Sequence, residues 1–218
     1  MWTLLVLGHR DPGLYRDRCI RQLDEVVGLS FFDRLICSYD GPGVSAAADT
    51  HGPWEQLATG RRSGLTANVQ QAWDALGDDE WVFHVEEDFL VLDAPLKAMR
   101  DTLLAVPSLA QMVLERQPVN PSEWANGGLL GADNIPTWKQ GWRTDSRMGP
   151  WRQQDHLFSF NPCVYHSSIA TVAGTETQVT ERLRADWYKF GFWGAQGDAP
   201  RCEHIGVQGG MGSPGWLA

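Results

Sequence analysis

A chain of 218 residues, 43% hydrophobic and 21% charged, is long enough for one substantial core and short for two. Its formal net charge of −9 argues against a generic nucleic-acid clamp, and it has no apolar run near the roughly 20 residues that span a bilayer. The four cysteines, Cys19, Cys37, Cys163 and Cys202, are scattered without a C-x-x-C pair, which argues against a structural zinc site or a disulfide framework. Buried thiols in a reducing compartment are the default reading. Residues 1–8 carry neither the basic lead nor the small-residue cleavage site of a secretory signal. A cytoplasmic location is therefore expected, the host cytoplasm if the chain is phage-encoded.

Residues 2–8 read as a buried strand. From Leu14 to Val27, apolar residues at Tyr15, Cys19, Leu23 and Val26 keep helical spacing. Residues 34–39 form a second strand, stopped by the turn chemistry of Asp40-Gly41-Pro42-Gly43. A polar loop then leads to Ser63 as an N-cap, beyond which Leu65, Val69, Ala72, Trp73 and Leu76 mark one apolar helix face. Residues 81–85 are a third strand. Asp93 and Pro95 open a helix with Leu96, Met99, Leu103 and Val106 on one face, and 111–115 is a further strand. Residues 117–155 lose periodicity and are rich in Gly, Pro, Trp and Asn; loops of that length are usually functional. Phe158 to Tyr165 reads as a strand interrupted by Asn161-Pro162, and a last amphipathic helix is expected to carry Val179, Leu183, Trp187 and Phe190. The alternation predicts an α/β fold with a mostly parallel sheet and helices on both faces, as a single domain over 1–218.

Chemistry concentrates at Glu86-Glu87-Asp88, which closes the apolar run Trp81-Val82-Phe83-His84-Val85. A strand ending in carboxylates delivers hard oxygen ligands to the carboxyl edge of a sheet, where open α/β folds bind their ligands. Spaced i, i+2, Glu86 and Asp88 are expected to project to one side of an extended segment. That arrangement suits Mn²⁺ or Mg²⁺ held together with substrate phosphates. The residues point to metal-assisted chemistry on a phosphorylated or nucleotide-linked substrate. Each also has a plainer reading: the triplet as a solvated turn, Asp40 as a turn residue bonding nearby backbone, Arg61 and Arg62 as a solvated helix entrance. His204 reads equally as a structural histidine, and Glu176 as a complement to a helix dipole. His9, His51, His84, His156 and His166 lack metal-ligand spacing.

In their order along the chain these segments resemble the glycosyltransferases of the GT-A fold, family 2-like enzymes that use nucleotide-sugar donors. The resemblance implies a GT-A, Rossmann-like fold with an irregular C-terminal acceptor region, divided into a nucleotide-sugar-binding half (1–116) and an acceptor and catalytic half (117–218). It places His9 and Arg10, after the first strand, at the start of the nucleotide pocket, and makes Asp40 similar to the carboxylate that contacts the nucleoside. Arg61 to Asn68 looks like the basic helix start preceding the metal strand, so Arg61, Arg62, Asn68 and also Glu87 are expected on the donor. Glu86-Glu87-Asp88 sits where the family has its D-x-D motif, with Glu in the first position. Glu203-His204-Ile205-Gly206 is similar to the late segment whose imidazole completes metal coordination, so the expected ligands are Glu86, Asp88 and His204. Gly174-Thr175-Glu176 opens a helix where inverting members often place the catalytic base; Glu176 is the expected base and Asp155 the reserve.

The chemistry of such a site is consistent with these roles. A nucleotide diphosphate leaves readily only once a divalent cation neutralises it, and an imidazole ligand favours Mn²⁺ over Mg²⁺. An arginine fork suits the diphosphate oxygens, and a carboxylate takes the proton from the attacking acceptor hydroxyl. The expected activity is transfer of a sugar from a nucleotide-diphosphate donor, a UDP-sugar first, to a hydroxyl, with inversion. Acceptor classes are a glycan, a small molecule or a hydroxymethylated phage DNA base. Two competing readings are a nucleotidyltransferase, which would want a more glycine-rich loop than 8–13, and a non-catalytic carbohydrate-binding protein using its eleven tryptophans.

Overall fold

The computed structural model describes residues 1–8, 15–41, 53–116, 143–144, 151–155, 157–194 and 200–205. The first strand, β1 (Trp2–Gly8), is buried along its whole length, and its side chains alternate between two cores. Leu4 and Val6 enter one hydrophobic cluster, Leu5 and Leu7 the other, as strand geometry requires. Helices α1 (Arg16–Val26) and α3 (Leu96–Ala105) cover the first face through Cys19, Ile20, Leu23, Leu96, Met99 and Leu103. Helices α2 (Leu65–Asp74) and α4 (Glu176–Ala185) cover the second through Val69, Ala72, Trp73, Val179 and Leu183. Three layers result, with the sheet in the middle.

The remaining strands are β2 (Arg34–Tyr39), β3 (Glu55–Ala58), β4 (Trp81–Glu86), β5 (Phe89–Val91), β6 (Leu109–Leu114), β7 (Arg143–Thr144), β8 (Trp151–Gln154), β9 (Cys163–His166), β10 (Lys189–Trp193) and β11 (Cys202–His204). Among the described residues nine strands form one sheet in the order β3-β2-β1-β4-β9-β6-β10-β8-β7, while β5 and β11 pair separately. β1 is parallel to β2 and β4, β2 to β3, and β6 to β10; β9 runs antiparallel between β4 and β6. The pairs Leu7↔Glu86, Gly8↔Tyr39 and Trp193↔Leu114 bring the carboxyl ends of β1, β2, β4, β6 and β10 to one edge.

Several elements differ from the sequence-based expectations. β3 lies in the stretch read as a polar loop; among the described residues it is a partly exposed edge strand whose sheet partner is β2, so no apolar alternation marks it. β8 lies inside the stretch read as aperiodic. The expected last helix ends at Ala185, and 189–193 is strand β10. Trp187 consequently sits in the turn between them, 87% exposed and at φ 65°, and its spacing from Leu183 has no packing meaning. The expected strand from Phe158 begins only at Cys163. Residues 157–162 are held instead by side chains: Thr180 Oγ1 accepts the Phe158 N–H (2.7 Å). In the amide orientation that satisfies both groups, Gln111 accepts the Ser159 N–H (2.9 Å) and donates to its carbonyl (3.1 Å).

At the amino edge, the buried Glu80 carboxylate accepts hydrogen bonds from the Thr3 hydroxyl, the Arg34 guanidinium and the Gly77 N–H. Removing one partner of a buried charged network leaves the others unsatisfied. Glu80→Ala should therefore lower the unfolding free energy in urea by about 3 kcal/mol; a loss under about 1 kcal/mol would show that water replaces the carboxylate there.

Candidate active site

The carboxyl edge is built around Gly8, the last residue of β1. Its carbonyl accepts both the Asp40 N–H (2.9 Å) and the Asn68 amide (2.9 Å). Asn68 is fully buried and also meets Ser38, its Oδ1 accepting the hydroxyl at 2.6 Å and its amide donating to the carbonyl at 3.3 Å. A side chain at position 8 would collide with the neighbouring carboxylate, since an added Cβ would come within 2.9 Å of Glu87 Oε2. Glu87 is 0% exposed, and its N–H donates to the Leu7 carbonyl (2.8 Å). The expectation of Glu87 on the donor is therefore corrected: its carboxylate is enclosed beneath β1. Asn68 likewise faces the β1–β2 ends, as a fastener between α2 and the sheet.

Asp40 follows β2, and both its oxygens are in use. Oδ1 accepts the Ser63 N–H (2.7 Å) and the Thr59 hydroxyl (3.1 Å), and Oδ2 accepts the Gly64 N–H (2.9 Å). Gly64 is the N-cap of α2 and offers no side-chain cap. The expected Ser63 cap is thus corrected: Asp40 supplies an acceptor from across the chain to N–H groups at the helix start. The chain in front of that start places Arg61 and Arg62 with exposed side chains. His9 and Arg10 lie outside the described residues.

Glu86 is the final residue of β4, and Glu87 and Asp88 form a turn into β5. The expectation that Glu86 and Asp88 share one extended segment is corrected accordingly. What joins Asp88 to a second functional side chain is β11, which pairs antiparallel with β5 in the register His204↔Phe89. The Ile205 N–H extends that ladder to the Asp88 carbonyl (2.8 Å). His204 Nε2 then stands 3.2 Å from Asp88 Oδ2. On β4, Val82 belongs to the core of the α2/α4 face and Phe83 and Val85 to the other, so the strand's alternation turns Glu86 toward α4. There Glu176 opens α4, its Oε1 accepting the Phe160 N–H (2.8 Å).

Electrostatics tie these groups together. Burial pushes the Glu86 carboxyl well above the usual carboxylate range, and the charges of Asp88, Glu176 and Glu87 add to the effect. Burial likewise raises Glu176, against the Phe160 N–H, the Ser159 hydroxyl and the Arg116 charge, which lower it. Two residues below Glu86, His84 is fully buried, its pKa lowered to about 3 by desolvation. Its Nδ1 lies 3.2 Å from the Tyr165 hydroxyl, which also takes the Trp73 indole N–H (3.0 Å). This neutral histidine serves the core, as its sequence spacing implies.

Four expected site residues, Glu86, Asp88, Glu176 and His204, thus come to one edge. Asp155 does not. β8 is antiparallel to β10, with Gln154 opposite Phe190 and Trp151 opposite Trp193, so Asp155 emerges exposed at the amino edge. Its reserve role as base is corrected on that ground. The sequence reading passed over Arg116, which follows the end of β6 and acts electrostatically on both Glu86 and Glu176. A cation just past a strand end was the available signal. Among the described residues no three His, Cys, Asp or Glu side chains are grouped closely enough to hold a metal ion by themselves. The Asp88–His204 pair nonetheless has the donor chemistry of a borderline cation such as Mn²⁺, with the other positions left to substrate oxygens and water.

No protein-family model and no curated protein matches the sequence. Among solved structures the chain is similar to GalNAc-T7 with UDP, GalNAc and Mn²⁺, with a TM-score of 0.64 at 12% identity. The match covers 99% of this chain and 46% of that one, so this chain spans about half its length. The fold is GT-A-like. In this sheet the antiparallel β9 enters from the carboxyl edge, and the residues ahead of it carry Phe160 to Glu176.

Asp40→Ala should cost about 2 kcal/mol in urea unfolding, because it removes a cap and leaves the Ser63 and Gly64 N–H groups without their acceptor. Asp40→Asn, keeping one oxygen, should cost less. Equal losses for the two variants would mean that charge, and not the acceptor geometry, is what α2 needs.

Proposed function

We propose that this chain is a divalent-metal-dependent glycosyltransferase that moves a sugar from a nucleotide-diphosphate donor, a UDP-sugar first, to an acceptor hydroxyl with inversion. The observation that carries this reading is the approach of His204 to Asp88 at the carboxyl edge of a GT-A-like sheet. The similar enzyme's structure holds UDP and Mn²⁺, which supports the same donor class and cation here. Asp88 and His204 would hold the metal, with Glu86 contributing from the α4 side. The bound cation supplies a Lewis acid that offsets the charge of the departing diphosphate.

The chain's own residues supply the remaining steps. Glu176, oriented by the Phe160 N–H on Oε1, takes the proton of the acceptor hydroxyl as that oxygen attacks the anomeric carbon. Arg61 and Arg62, exposed ahead of α2, are placed to meet diphosphate oxygens as they arrive. In this reading 1–116 forms the donor side, and 117–218 brings the acceptor side together with Glu176 and His204. Acceptors of the proposal are a glycan, a small molecule or a modified DNA base. No helix among the described residues is long and apolar enough to cross a membrane, and the four buried free cysteines fit a reducing compartment.

Release of UDP from a panel of UDP-sugars with Mn²⁺ tests the assignment. Asp88→Ala should reduce it by about 100-fold or more with the fold retained; full activity in that variant would end the metal argument. The base acts as a carboxylate, so activity is present above the Glu176 pKa and lost as pH falls through it. Since burial raises that pKa, the acid limb of kcat/KM should lie above the ordinary carboxylate range. Glu176→Gln should remove the limb and cost roughly 100-fold in kcat; an unchanged profile would reassign the base.

A further inference from the structure

We propose that Arg116 is a positioning residue for His204, holding its imidazole against Phe89 so that Nε2 stays directed at Asp88. The inference rests on the metal role assigned above to Asp88 and His204, and it begins from the attachments of β11. That strand has three residues and, among the described residues, its ladder partner is the three-residue β5. It is also attached to the segment after β6. The Glu115 carbonyl accepts the Arg201 N–H (2.6 Å) and the Cys202 N–H (3.2 Å), and Arg116 forms a parallel bridge with Cys202. In this parallel register Arg116 lies beside Cys202, two residues before His204 on the same face of β11.

The side chains repeat the arrangement of the backbone. The Phe89 ring, 1% exposed, carries the Arg116 guanidinium at 5.7 Å from its centroid and the His204 imidazole at 4.9 Å with a 38° tilt. Both separations are within the range in which cations and aromatic rings attract a phenyl face or edge. The ladder between β5 and β11 fixes the His204 backbone, and the contacts of its ring with Phe89 and Asp88 bear on which side-chain rotamer it adopts. Phe89 is in turn held between the core and the guanidinium. Arg116 also places its positive charge among Glu86 and Glu176, so the same group that steadies the imidazole offsets the crowding of carboxylates around it. Partners of this kind behind a metal ligand are commonly worth 10–100-fold in metal affinity.

Arg116→Met, which keeps the stem and loses the guanidinium, and Arg116→Lys, which keeps the charge and loses the planar group, test this in the full chain. The first readout is the ¹⁵N-coupled imidazole spectrum of His204 in metal-free protein, assigned by comparison with His204→Gln. Both variants should move or broaden its signals, Met more than Lys; an unchanged spectrum in either folded variant overturns the proposal. The second readout is Mn²⁺ affinity in the presence of UDP, expected to fall about tenfold in Arg116→Met with a smaller loss in Arg116→Lys. A loss of melting temperature with Mn²⁺ affinity intact would reduce Arg116 to a purely structural part and overturn the proposal. If the wild-type chain binds no Mn²⁺, the metal assignment of the previous subsection fails, while the imidazole spectrum still decides the positioning role.

Discussion

The pairing of β5 with β11 is the interaction on which the site depends. It brings together Asp88 and His204, 116 positions apart in the chain, and uses only two three-residue strands to do so. Hydrogen bonding to main chain from elsewhere makes that economical: Leu92 and Asp93 N–H groups donate to the Arg201 carbonyl, and Glu115 accepts from Arg201 and Cys202. Cys202, fully buried in the α1/α3 core, anchors the strand through its side chain as well. A short ladder closed at both ends and pinned in the core can hold a side chain such as His204 that lies on no long element.

The rest of the carboxyl edge is arranged to bear a concentration of negative charge. Glu87 is removed from it altogether, folded beneath Gly8, where only the absence of a Cβ leaves room. Asp40 is neutralised locally by N–H groups at the start of α2. Glu86 and Glu176 are pushed toward their protonated forms by burial, and the Glu176 charge adds to the effect on Glu86. An arrangement of this kind carries an electrostatic cost in the free protein that a bound cation would relieve, which is why the acidic turn and the metal belong to one argument.

Much of this was legible in the sequence, for identifiable reasons. β1, β2 and β4 read as apolar runs because both their faces are buried, α1, α2 and α3 carry helical periodicity because one face meets a core, and the acidic triplet is conspicuous because it interrupts an apolar run. His204 is singled out by its likeness to a family segment; nothing local in its Gly-rich surroundings marks it. The misreadings share a cause. β3 and β8 are edge or near-edge strands with few buried side chains, so their patterns carry little signal. The α4–β10 junction deceived because Val179, Leu183, Trp187 and Phe190 keep helical spacing, although a left-handed residue at Trp187 ends the helix's continuation and Phe190 reaches the same core from a strand. Asp155 and Glu87 could be placed only by topology: the direction of β8 for one, and the space under Gly8 for the other.

Binding of UDP to the intact chain, measured by calorimetry with and without Mn²⁺ and repeated on Asp88→Ala, tests the central claim most directly. The account predicts binding that requires the cation and disappears with the Asp88 carboxylate. Nucleotide binding that is indifferent to Mn²⁺, or no binding of UDP under either condition, would contradict it and leave a GT-A-like fold serving some other ligand.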